Sequence, residues 1–269
     1  MMSFVTEIAA QSNISELPQP VDPEIEEMMK AGVHLGHAKS KNHPAMQPYL
    51  FGVRNTISLI DLIKTKEKLA QALDFIKEVA SKGGLVLLVG TRPAARKVIE
   101  EVSRNFQMPY FTERWIGGTL TNFKMISKRV EYMETLEKEK AAGELEKYTK
   151  KERMQKEEEI VRLKKIFDGL RPMKRLPNAL FVVDINEDST AVREARRMKI
   201  PVVALCDTNS NADLINYLIP ANDDALPAVR YMVGRIGEAL EEGIRMKAQN
   251  AEIQNTNKTQ NTEAQNTNG

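Results

Sequence analysis

Three short runs in this chain, Leu85-Val86-Leu87-Leu88-Val89, Ala179-Leu180-Phe181-Val182-Val183 and Val202-Val203-Ala204-Leu205-Cys206, contain no polar residue. A strand with one wet face alternates apolar and polar side chains, so runs without alternation need cover on both faces. Helical patterns separate the runs, which predicts right-handed crossovers and a doubly wound parallel sheet, an α/β fold. With 269 residues, 42% of them hydrophobic, the chain has enough apolar material for a full core.

The flanking segments fit that body. Asp22, Pro23 and the acids after them open a short helix that closes at Gly32. Tyr49–Val53 and Thr56–Ile60 are β-rich and separated by Arg54-Asn55, the spacing of a hairpin. Thr65 is placed to cap a helix carrying Leu69, Leu73, Ile76 and Val79, which ends at Gly83-Gly84. Tyr217-Leu218-Ile219-Pro220 reads as an edge strand, because its proline cannot donate. Asp223 or Asp224 can open a last helix through Val229, Val233, Ile236 and Leu240. Residues 1–22 and 245–269 are polar or low in complexity and are expected to be flexible tails.

Two places invite chemistry. After Val89, Arg92, Arg96 and Lys97 open a helix at the carboxyl edge of the sheet, where phosphate can bind, although neither dinucleotide nor P-loop spacing is present. Asp184 and Asp207 end strands at the same edge, either capping the next turn or holding a magnesium ion or a ribose. All three histidines lie between His34 and His43. No cysteine stands near His34 or His37 to complete a zinc site, so a structural or phosphate-facing role is expected and no metal or other cofactor.

The second place is the joint Glu113-Arg114-Trp115-Ile116-Gly117-Gly118-Thr119-Leu120-Thr121-Asn122-Phe123. It sets an arginine beside the single tryptophan, then two glycines, then Thr121 or Asn122 as helix caps. A packed corner explains these residues, and so does an RNA contact. From Lys124 to Asp168, thirteen Lys or Arg and eleven Asp or Glu leave only a narrow apolar seam, the mark of two facing helices. Phe123, Ile126, Val130 and Met133 line one helix, and Ile160, Leu163, Phe167 and Leu170 the other. Gly143 breaks the first, and Thr149 with Glu152 forms a capping box for the second. Residues 123–168 are therefore read as a helical hairpin inserted between two parts of one body, 23–122 and 169–244.

Net charge is only +2, so affinity for nucleic acid has to come from local basic patches. A lone cysteine, Cys206, excludes an internal disulfide and suits a reducing compartment. No apolar run approaches the length of a membrane span, and the expected setting is the cytoplasm.

Five motifs taken together carry a resemblance: Ala31-Gly32-Val33-His34-Leu35-Gly36-His37, the stretch Arg114–Phe123, Ala179–Asp184, Asp207-Thr208-Asn209-Ser210 and Ile219–Ala225. In this order and spacing the chain, from about residue 24 to 244, resembles the family of protein number two of the bacterial small ribosomal subunit. The resemblance implies a Rossmann-like or flavodoxin-like three-layer sandwich with a projecting coiled-coil hairpin. It also implies contact with 16S ribosomal RNA and neighbouring ribosomal proteins, the large S-one protein among the possible ones, and no catalysis, small-molecule substrate or membrane. Residues suited to the RNA contact are His34, His37, Lys39, Lys41, Arg54, Arg92, Arg96, Lys97, Arg114, Trp115, Gly117, Gly118, Asn122, Lys124, Lys128 and Arg129. The competing classes are a nucleotide-binding α/β enzyme using the carboxyl edge of the sheet, and a coiled-coil adaptor without RNA.

Overall fold

The computed structural model describes residues 22–266, with side chains through 250. Of the expected N-terminal tail only Asp22 lies within the described residues. Its carboxylate accepts the Glu24 N–H at 3.0 Å and caps α1 (Pro23–Lys30), with proline at the first position.

A small antiparallel sheet follows, built from β1 (Leu35–Ala38), β2 (Leu50–Arg54) and β3 (Ile57–Ile60) in the order β1-β3-β2. The β2–β3 turn differs by one residue from the sequence expectation. Arg54 already pairs with Ile57, and the turn residues are Asn55 and Thr56, at φ 48° and 68°. Two consecutive left-handed residues match the twist of a tight hairpin, which explains why this pair forms the turn without glycine. Strand β1 is a finding; Gly36 and His37 interrupt the apolar pattern that would have announced it.

Helix α2 (Leu62–Ser81) is capped by Asp61 and not by Thr65, since the Asp61 carboxylate reaches the Ile63 and Lys64 N–H groups at 3.0 and 3.4 Å. Buried Thr65 sits inside the first turn and donates to the Pro220 carbonyl at 2.6 Å.

The main sheet contains β4 (Val86–Val89), β5 (Tyr110–Phe111), β6 (Ala179–Val182), β7 (Val202–Cys206) and β8 (Tyr217–Pro220), all parallel, in the order β5-β4-β6-β7-β8. Counted along the chain this is the 2-1-3-4-5 order of flavodoxin-like folds, whose direction of winding reverses between the first and third strands, here β4 and β6. Side chains alternate between the two faces. Val86, Leu88, Phe181, Val203, Leu205 and Ile219 share one core with α1, α2, α3 (Pro93–Phe106) and α7 (Leu226–Asn266). Leu87, Val89, Leu180, Val182, Val202 and Ala204 share the other with α6 (Ser189–Arg197), the joint and the root of the hairpin. The apolar runs are thus covered on both sides, as their lack of alternation requires. Strand β8 lies at the sheet edge, where Pro220 does no harm.

The hairpin is α4 (Phe123–Ala141) and α5 (Lys150–Phe167), with Ile126, Val130, Met133 and Leu136 buried along one helix and Ile160, Leu163 and Phe167 along the other. The Thr149–Glu152 capping box forms as read from sequence. Leu170 lies beyond the helix, in the short turn after it. The hairpin seam is not self-contained, because these residues belong to the same buried cluster as Trp115, Leu120 and the sheet residues Leu87 and Val89. At Gly169, where the chain returns to the body, a Cβ would run into the Tyr110 carbonyl, so glycine is required for the close approach. Helix α7 continues to Asn266, past residue 245, where composition predicted a tail. Once nucleated by packing on α2 and α3, a helix continues through residues too polar to start one.

Candidate nucleic-acid interface

The carboxyl edge of the main sheet gathers residues from five separate stretches. His37 Nδ1 is 3.0 Å from Asp207 Oδ2, and its Nε2 is 3.3 Å from Asp224 Oδ2. Arg92, at the start of α3, forms ion pairs with Asp184 and Asp224 and lies 3.8 Å from Asp223 Oδ1. Asp184 Oδ1 also accepts the N–H groups of Asn186 and Glu187 at 2.8 and 3.2 Å, which is the turn-capping role expected of a strand-ending aspartate. Deeper in, Asp188 accepts from the Thr91 hydroxyl at 3.0 Å. Burial pushes the Asp188 carboxyl up to about 7, against the two Thr91 hydrogen bonds. Burial, with Asp184 and Asp207 nearby, pushes Asp223 up to about 8.

Five aspartates against one arginine and one histidine make this edge hostile to phosphate. The gathering of Arg92, Arg96 and Lys97 expected there does not form. Arg92 is consumed by carboxylates, Arg96 donates to the Thr91 carbonyl at 2.8 Å and pairs with Glu113 at 3.5 Å, and Lys97 is exposed on α3. The edge is better suited to a cation. His37, Asp207 and Asp224 each offer a ligand atom, all within 4.8 Å of one another. The sequence argument against a metal counted only cysteine and histidine near His37, and so missed the carboxylates of Asp207 and Asp224, which are far from it in the chain.

The joint has a different character. Glu194 of α6 is buried, and its carboxylate accepts from five groups: Trp115 Nε1 at 3.2 Å, the N–H of Gly118 at 2.7 Å, of Leu120 at 3.0 Å and of Thr121 at 3.1 Å, and the Thr121 hydroxyl at 3.1 Å. Burial raises the Glu194 pKa, but the hydrogen bonds from Thr121, Gly118, Leu120 and Trp115 outweigh it and hold the carboxyl below the usual range. Gly118 adopts φ 93°, which lets successive N–H groups point at one acceptor. The Trp115 ring is buried, tilted against Phe111 at 5.2 Å. Arg114 next to it is exposed and forms no ion pair among the described residues.

The sequence profile of ribosomal protein S2 matches residues 28–243. The chain belongs to the ribosomal protein S2 family. Its relatives include small ribosomal subunit protein uS2 of Thermus thermophilus, 44% identical over 216 residues, covering 80% of this chain and 84% of the relative. The uS2 protein of Chloroflexus aurantiacus is 44% identical over 229 residues, covering 85% and 96%, and that of Sorangium cellulosum 40% over 237, covering 87% and 85%. The chain is accordingly a structural constituent of the small ribosomal subunit and not an enzyme, which removes the nucleotide-enzyme reading of the carboxyl edge.

Against S2 membership the sixteen residues read as RNA contacts separate into two groups. Some are engaged within the chain: His37 and Arg92 at the carboxyl edge, Arg96 on α3, Trp115 and Gly118 at Glu194. His34 is half-buried, its backbone carbonyl accepts from Ile60 at 2.9 Å, and desolvation lowers its pKa, so it is part of the small sheet's structure. Others face outward: Lys39 and Lys41 in a 3-10 turn, Arg54 at the end of β2, Lys97, Arg114 and Gly117, then Asn122, Lys124, Lys128 and Arg129 at the hairpin root. Asn122 occupies the cap position of α4 without a side-chain capping bond, and the Thr121 hydroxyl is committed to Glu194. The sequence reading missed Glu194 entirely. An acid in a helix of alternating charge gives no local sign that it will turn inward.

Proposed function

We propose that this S2 protein docks on the small subunit through the joint and the hairpin root, with Arg114, Lys124, Lys128 and Arg129 meeting phosphates of 16S ribosomal RNA. The observation that carries this reading is the division of labour at the joint. Glu194 braces the loop from inside, so Arg114 is not needed as a brace, and its charge is left for an external partner. The hairpin flank supports the same reading. Farther along, Lys140 pairs with Glu157 at 3.3 Å and Lys164 with Glu137 at 2.8 Å. At the root, Lys124, Lys128 and Arg129 form no such pairs among the described residues. Residues 123–168 act in this reading as a docking module on the body. Exposed Met154 and Val161 on α5 suit a neighbouring ribosomal protein, the S-one protein among the candidates, and the setting is the cytoplasmic ribosome.

The test is binding to small subunits stripped of their own S2 protein, measured over a salt series. Arg114→Gln should weaken binding and shrink the slope of log affinity against log salt by about one unit or slightly less, with the melting temperature unchanged. A lower melting temperature with an unaltered slope would return Arg114 to a bracing role.

A further inference from the structure

Helix α6 carries a second cationic surface that the joint does not account for. The segment Arg193-Glu194-Ala195-Arg196-Arg197-Met198-Lys199 contains four cations and one acid, and that acid is buried and already holds five donors of the joint. All four cations are exposed. Arg193 is bonded only within its own first turns, its Nε donating to the Ser189 carbonyl at 3.3 Å. Arg196, Arg197 and Lys199 form no ion pair among the described residues. Asp213 lines the same shallow cleft of about 300 Å³ as Arg196 and Lys199 without pairing with either. Arg193 and Arg197 stand four apart, an arrangement in which like charges destabilise an isolated helix.

A separate observation comes from the backbone. Lys199 follows the helix in the left-handed region at φ 57°, with its N–H donating to the Arg196 carbonyl at 3.1 Å. That position favours glycine or asparagine. The helix dipole welcomes a cation here, but it does not require one at a residue whose Cβ is strained. The row thus combines like charges one turn apart with a strained cationic residue at its end.

We propose that Arg193, Arg196, Arg197 and Lys199 form a second phosphate-contacting surface for the sugar-phosphate backbone of ribosomal RNA. The inference rests on the RNA-docking reading above and extends it to a new element. Arginines about one helical turn apart, with Cβ atoms some 5–6 Å from each other, can grip successive phosphates with paired hydrogen bonds. The α6 row lies on the sheet face that also carries the joint, tied to it by Glu194, so one RNA surface can meet both. No large apolar side chain is exposed on α6, whereas a protein partner calls for an interface centre depleted of charge.

The experiment uses full-length protein and the same stripped subunits. Replacing two arginines, Arg193→Gln with Arg197→Gln, should shrink the salt slope by about 1.4 to 1.8 units while the melting temperature holds or rises. Lys199→Gly should raise the melting temperature by relieving the strained backbone, yet lower affinity and slope. Unchanged slopes in both would overturn the proposal. A stabilised Lys199→Gly that binds as before would assign the lysine to the helix alone and also count against it. An iron chelate tethered at Arg197→Cys should cut 16S RNA in the assembled subunit; weakened binding without RNA cleavage would mean an acidic protein partner and would overturn it too. If Arg114→Gln weakens binding and the α6 variants do not, only this inference falls and the docking reading stands.

Discussion

Trp115 Nε1 donates to Glu194 Oε1 across 3.2 Å, joining a loop and a helix 79 residues apart in the chain. Trp115, next to Arg114 in the chain, turns inward and anchors the loop, while Arg114 stays exposed. The carboxylate acceptor of Trp115 is shared with three backbone N–H groups and a hydroxyl.

Glu194→Ala would leave those donors unsatisfied in a buried corner. Each uncompensated buried donor costs about 1–3 kcal/mol, and relaxation will recover part of the total, so a loss of at least roughly 2 kcal/mol is expected in urea denaturation. Because the folded pKa is depressed, the contribution is present above the ordinary carboxylate range and is lost as pH falls through the folded value. A variant as stable as the parent, with the same acid limb, would show that the corner repacks without it.

Asp223 and Asp188 have the opposite sign. Their folded pKa values, about 8 and about 7, lie above those of the unfolded chain, so the folded state holds its protons more tightly. Stability is therefore full below the unfolded carboxylate range near pH 4 and declines as pH rises toward about 8, by at most about 1.4 kcal/mol per unit for each group. Asp223→Asn should flatten the Asp223 part of that slope. Denaturation midpoints taken from pH 5 to 9 decide it, and identical slopes in parent and variant would contradict the assignment.

Truncating the hairpin should have graded effects. Replacing residues 138–156 with a short flexible linker removes the distal turns and leaves Ile126, Val130, Met133, Ile160 and Phe167 in place, so the body should melt nearly as before. Deleting 124–168 uncovers Trp115, Leu120 and Leu170 and should lower the melting temperature clearly. Both deletions are expected to impair subunit docking. Equal melting temperatures for the two would mean that the root contributes nothing to the shared core.

Gly118→Val tests the turn alone. A β-branched residue at φ 93° is strained by about 1–3 kcal/mol, and its Cβ would also sit 3.4 Å from Asn122 Cβ. Gly117→Ala, with open space around the added carbon, is the control and should be close to neutral at that position.

Much of the body was legible because its signals are local. The unalternating runs at Val86, Ala179 and Val202, the Asp22 and Thr149 caps and the edge proline at Pro220 each state their role within a few residues. The carboxyl-edge cluster was not legible, since His37, Arg92 and Asp224 meet only after the sheet has assembled. Glu194 was hidden for the same reason, and Thr65 was read as a cap although the helix starts one turn earlier, where Asp61 reaches the Ile63 and Lys64 N–H groups. The turn at Asn55 and Thr56 escaped because neither residue is glycine.

The hairpin that splits the body also governs how quickly the two parts find each other. Strands β4 and β6 pair in parallel across a separation of about ninety residues, Val89 with Val182, and such non-local pairing ordinarily folds slowly. Two helices joined by a short turn form in microseconds, far ahead of the sheet. Once they have zipped, the long excursion behaves as a short tether, and the search between the two parts shrinks accordingly. A loosened seam, such as Leu163→Ala, should then slow refolding of the sheet as well as that of the helices, an outcome readable by stopped-flow fluorescence of Trp115.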